Sequence, residues 1–181
     1  IVIFVDDSGS MSFEENGERI DDLKLILNRA AFVSSLMDDD GLEVRFMNSS
    51  IQGNHLKSEN DVSQLISQVT FRGLTPLGTS LKSKVVEPMV LQAARQNRLR
   101  KPVLVVTITD GQPAGEATNT VFSVVKDTKR FLMKTPYSPG ACAFQFAQVG
   151  NDLKARDFLS SLDTDREVGA MVDCTSNFEV E

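Results

Sequence analysis

The sequence predicts an α/β fold: a doubly wound, mostly parallel central sheet with helices on both faces and one antiparallel edge strand. Three observations predict it. Short apolar runs alternate with longer segments of helical periodicity, the alternation that builds a parallel sheet. The run at 1–5 is continuously apolar and that at 102–109 shows no apolar–polar alternation, as in strands covered on both faces. Polar clusters follow both runs directly, where open α/β sheets carry their sites.

The elements follow in order. Ile1-Val2-Ile3-Phe4-Val5 is the first strand. Ile20, Leu23, Leu27 and Ala30 recur at helical spacing, widened by Ile26, Val33 and Met37, and Gly41 stops the helix. Leu42-Glu43-Val44-Arg45-Phe46 alternates apolar and charged residues and reads as a strand nearer an edge. A weak third strand falls near 51–53 and a short helix over 62–69. Leu77, Leu81 and Val85 open a helix that Pro88 should kink or restart, and 90–99 carries the pattern on. Residues 102–109 form the strongest strand, in the middle of the sheet. Val121, Val124, Val125, Thr128 and Leu132 mark a helix, 142–149 a strand, 153–162 a helix and 170–174 a last strand.

A chain of 181 residues forms one domain with a full core. Its first residues already lie inside an apolar run, so it reads as a piece of a longer protein. A net charge of -6 argues against nucleic acid or an anionic membrane as the main partner. Two cysteines exclude a disulfide-dense scaffold, and the single His55 leaves no His-based metal site. No apolar run approaches the ~20 residues that span a bilayer. The sequon Asn48-Ser49-Ser50 points weakly to secretion and cysteine poverty points to the cytosol, so the compartment stays open, with the intracellular side slightly favoured.

Three polar clusters are candidates for the rim of the sheet: Asp6-Asp7-Ser8-Gly9-Ser10, Gly73-Leu74-Thr75-Pro76-Leu77-Gly78-Thr79 and Thr109-Asp110-Gly111-Gln112-Pro113. They offer hydroxyl and carboxylate oxygens, the donors of hard cations: Mg2+, Mn2+ or Ca2+. Alternate spacing lets Asp6, Ser8 and Ser10 converge where the loop curls around one ion. Hydroxyl ligands are neutral, so such a cation stays electrophilic and can accept a carboxylate from another molecule. Asp7 points away from Asp6 if the strand pattern persists, and is left out as a ligand.

These clusters and their order resemble the von Willebrand factor type A (vWA) family, with its Rossmann-like fold and metal-ion-dependent adhesion site. The resemblance covers essentially the whole chain. It implies that Ser8, Ser10 and Thr75 give their hydroxyls directly to Mg2+. Asp6 and Asp110 then lie close through water, Asp110 binding directly in one state. It implies a partner protein that supplies a Glu or Asp as the sixth ligand. Several members of that family carry a C-terminal helix after the last strand, and the resemblance makes Asn177 to Glu181 either the start of such a helix or an extension of the strand.

The resulting expectation is a non-enzymatic, metal-dependent protein-binding module. Two alternatives stand beside it. One is Mg2+-dependent phosphoryl transfer. Against it, the Asp-x-Asp of aspartate-nucleophile phosphatases has Ser8 at its second position, and the chain holds no Walker-type loop. The other is a metal-free structural domain. Of the remaining features, Glu14, Glu15, Glu18, Asp21 and Asp22 read as a solvated helix start or an acidic rim. Asp38-Asp39-Asp40 reads as a solvated turn, Cys142 and Cys174 as buried free thiols, and His55 as exposed.

Overall fold

The computed structural model describes residues 1–13, 17–37 and 40–175. Glu14 and Glu15 of the acidic run, Asp38 and Asp39 of the aspartate turn, the side chain of Met37 and the segment 177–181 lie outside the described residues.

Six strands form one sheet: β1 (Val2–Val5), β2 (Leu42–Phe46), β3 (Gln52–Leu56), β4 (Val103–Thr109), β5 (Cys142–Gln148) and β6 (Val172–Thr175), in the spatial order β3-β2-β1-β4-β5-β6. Every pairing is parallel except β2 with β3. The fold class expected from the sequence is the one observed. β1 and β4 pair in register from Val2 with Val105 to Val5 with Ile108. Strand order runs outward in both directions from this pair, so it is the topological switch point, where a doubly wound sheet opens a crevice at its carboxyl edge.

Alternate side chains of β1 enter two cores. Val2 and Phe4 face Leu77, Leu81, Val85, Val121, Phe144 and Phe146. Ile3 and Val5 face Leu23, Leu27, Val44, Phe46 and Val62. Full burial of each such side chain stabilises the fold by roughly 1.5–3 kcal/mol. The apolar run of the first strand is therefore explained by cover on both faces.

The helices are α1 (Ser10–Phe13), α2 (Glu18–Met37), α3 (Glu59–Ser67), α4 (Leu77–Leu81), α5 (Gln92–Arg95), α6 (Thr120–Leu132) and α7 (Leu153–Asp163). None of the described residues forms a helix long and apolar enough to cross a membrane. Two expectations need correction. The buried stripe of α2 runs through Arg19, Leu23, Leu27, Ala31 and Ser34, while Val33 is exposed. The stripe is narrower than the apolar residues suggest because Leu25, Phe32, Val33 and Leu36 lie on the solvent side. Pro88 does not restart its helix: α4 continues as a π-helix over Lys82–Leu91, which contains Pro88, and returns to α geometry in α5. A wider turn absorbs the ring and the missing N–H within one continuous helix.

Gly78, in the first turn of α4, meets the start of α6. A Cβ there would lie 2.6 Å from Val121 N and 2.8 Å from Thr120 C. Only glycine lets these backbones approach so closely. α4 thereby sits beside α6, with the loop that precedes it at the carboxyl edge of the sheet.

Candidate metal site

Three loops meet at that edge. Asp6 extends β1 by one residue, its N–H donating to Ile108 O at 2.9 Å. The chain then turns: Ser8 N donates to Asp6 Oδ1 at 2.9 Å. Ser8 Oγ and Ser10 Oγ share a hydrogen bond of 3.0 Å, and Ser10 Oγ donates to Asp110 Oδ1 at 3.1 Å. Thr109 Oγ1 donates to Asp6 Oδ2 at 2.6 Å. Side chains from both strands of the switch point are thus joined in one cluster. The Thr75 loop is brought alongside by Gly9 N donating to Gly73 O at 3.2 Å, and by Ala114 N donating to Thr75 O at 2.9 Å. Asp6, Ser8, Thr75 and Asp110 are buried, and Ser10 is half-buried.

Burial, and secondly the charge of Asp110, push the Asp6 carboxyl up to about 6, against the hydrogen bonds from Thr109 and Ser8 that favour its ionised form. Two carboxylates at one buried spot repel, and a cation relieves that repulsion. Arg19 of α2 supplies one: its Nη1 donates to Asp110 Oδ2 at 2.5 Å, and the two side chains are 4% and 0% exposed. The guanidinium lies against Gly150, beyond the end of β5. A Cβ at Gly150 would fall 2.6 Å from Arg19 Nε, and the residue's φ of +72° also favours glycine.

Two neighbouring carboxylates fix the loops. Asp7 faces away from the cluster, as the strand pattern requires. Its Oδ1 accepts from Asn48 N at 2.7 Å and its Oδ2 from Ser49 N at 2.7 Å. Lys84 of the π-helical segment holds the same β2–β3 turn from the other side, donating to Phe46 O, Met47 O and Ser49 O at 2.7, 2.9 and 2.8 Å. Burial lowers the Lys84 ammonium below its usual range, partly opposed by the charge of Asp7. Glu116 caps the first turn of α4: Gly78 N donates to Oε1 at 2.6 Å and Thr79 N to Oε2 at 2.8 Å. A carboxylate there satisfies otherwise unpaired N–H groups and complements the helix dipole. It also ties the loop after β4 to the helix that follows Thr75.

Arg19, Glu116 and Gly150 were not picked out from the sequence. Arg19 had a signal: it stands four residues before Leu23 and eight before Leu27, on the inward stripe of its helix. Its flanking acidic residues, Glu18, Asp21 and Asp22, drew attention to the solvated side. Glu116 and Gly150 carry no local signal, because their roles depend on partners distant in sequence.

Among the described residues no cluster of three or more His, Cys, Asp or Glu side chains is placed to hold a metal ion. The oxygen set here is different: the hydroxyls of Ser8 and Ser10 beside two carboxylates, with the buried Thr75 in the loop alongside. Neutral hydroxyls with few carboxylates suit a hard divalent cation that keeps affinity for an external anion. His55 is far from this edge, exposed on β3 with Nδ1 2.8 Å from Asp40 O. Both cysteines are free, Cys142 buried and Cys174 half-buried, and burial pushes each thiol up to about 12, which disfavours the thiolate.

The family model of vWA domains found in the TerF C terminus matches residues 1–181. No curated protein matches significantly. Among solved structures, a von Willebrand factor type A protein from Catenulispora acidiphila superposes with a TM-score of 0.56 at 14% identity. The match covers 97% of this chain and 38% of that one. At that identity the likeness shows the fold alone.

Proposed function

The chain belongs to the vWA-TerF-like family, and on that premise we propose that it is a protein-interaction module whose contact is made through a divalent cation. vWA domains generally mediate protein interactions; the metal dependence is the proposal. Ser8, Ser10 and Thr75 would hold Mg2+, or Mn2+ or Ca2+, through their hydroxyls, with Asp6 and Asp110 beside them. The ion would supply a Lewis-acidic point that attracts a Glu or Asp of the partner. The observation that carries this reading is the hydrogen-bonded chain Ser8–Ser10–Asp110, which joins the loops after β1 and β4 at the switch point of the sheet.

The residues around the cluster support a protein partner. Phe13 is 83% exposed beside Gly9, and Leu74 is 60% exposed beside Thr75. Exposed aromatic and aliphatic side chains beside the cluster offer a partner apolar area to bury. The reading contains no catalysis: the one histidine is remote from the cluster, the thiols stay protonated, and Arg19 cannot act as a base.

Titration of the metal-stripped protein with Mg2+, followed by calorimetry and thermal melting, tests the metal. Saturable binding that Asp6→Ala and Thr75→Ala abolish, with circular dichroism unchanged, is the expected result. Captured partner should be released by EDTA, and undiminished capture in excess EDTA would overturn the metal bridge. A phosphatase assay with Mg2+ should read zero.

A further inference from the structure

We propose that Arg19 is a resident cation of this edge: it holds Asp110 in the metal-free domain and limits how tightly a divalent ion is taken up. The inference rests on the metal-site reading above and adds a residue that the reading did not contain.

The seat of Arg19 is built. Its side chain is 4% exposed and pairs with an Asp110 side chain that is fully buried. It leaves the inward stripe of α2, one turn before Leu23, and lies over a glycine whose Cβ position it fills. A buried charge persists only where a partner and close geometry offset its desolvation. Asp110 divides its oxygens accordingly: Oδ2 takes the guanidinium, and Oδ1 takes Ser10 Oγ, a candidate metal ligand.

The charges then decide the behaviour. A divalent ion drawing on Asp110 must share that carboxylate with a fixed guanidinium, and the two cations repel at short range in a medium that screens poorly. Metal uptake is weakened for as long as Arg19 stays in its seat.

The test is Mg2+ titration of the full chain by calorimetry and thermal melting, comparing the wild type with Arg19→Gln and Arg19→Lys. R19Q should bind Mg2+ about tenfold more tightly, with a larger upward melting shift than the wild type. R19K keeps the charge but loses the planar fork, and should fall between the two. A merely structural role predicts the opposite, weaker binding in both variants. If R19Q fails to fold without metal, R19K carries the test alone, and affinity equal to or below wild type overturns the proposal. Metal binding by R19Q but not by the wild type would support it strongly. Wild-type binding that neither substitution raises removes Arg19 and leaves the metal site standing, whereas no binding by any of the three removes both.

Discussion

The carboxylates at the carboxyl edge fall into two regions with opposite partners. Asp7 and Glu116, at the flanks, accept from backbone N–H groups of Asn48, Ser49, Gly78 and Thr79. Asp6 and Asp110, at the centre, receive mainly side-chain hydroxyls and a guanidinium, with one backbone N–H, that of Ser8, on Asp6 Oδ1. Backbone donors are fixed by the fold and cannot leave without unfolding a turn. Side-chain donors can rotate away and be exchanged for another cation. Adjacent residues of one chemical type, Asp6 and Asp7, therefore differ in what holds them: mainly side chains at the centre, mainly backbone at the flank.

The contrast breaks most visibly at Asp7. Asp7→Ala leaves two turn N–H groups without their charged acceptor and should cost about 3 kcal/mol of stability by urea denaturation. At the centre the ordering reverses. Saturating Mg2+, at about a hundred times Kd, should raise stability by about 2.7 kcal/mol, and EDTA should reverse it. Asp6→Asn should erase that gain, while metal-free stability at pH 7 stays level or rises, because the substitution removes a buried charge. A loss as large as that of Asp7→Ala would place Asp6 with the anchors. Glu116→Gln should cost about 1–2 kcal/mol in melting experiments, since the cap keeps its shape and loses its charge.

The smallest effect is in pH. Asp6 is raised from 3.8 to about 6 in the folded protein, so between these values the folded state holds the proton more tightly than the unfolded chain. Its ionisation is a destabilising contribution fully present above pH 6 and relieved as pH falls towards 3.8. The metal-free protein should therefore gain about 1 kcal/mol from this group between pH 7 and 5. The gain should vanish in Asp6→Asn, and a slope unchanged by that substitution would assign it elsewhere.

The fold was legible because its strands obey simple rules: an uninterrupted apolar run at β1, a largely apolar one at β4, alternation at β2, and helices between. The loops that meet were legible too, since hydroxyls and aspartates directly after parallel strands land at one edge. What was hidden depends on distance along the chain. Arg19 reaches Asp110 across 91 positions, and Glu116 reaches Gly78 across 38. Neither pairing leaves a local pattern. Val33 misled for the reverse reason: its character suits a core, but its angular position on α2 points outward.

The wide helix around Pro88 has a consequence for how this segment is written. Its buried residues come in pairs: Ser80 with Leu81, Val85 with Val86, and Val90 with Leu91. The repeat is five, and a spacing of five in an ordinary α-helix turns a side chain about 140° away from its predecessor. Replacing this stretch with an idealised α-helix of the same length would swing Val90 and Leu91 off the core even with every residue kept. The code to preserve here is a beat of five, and the proline rides within it.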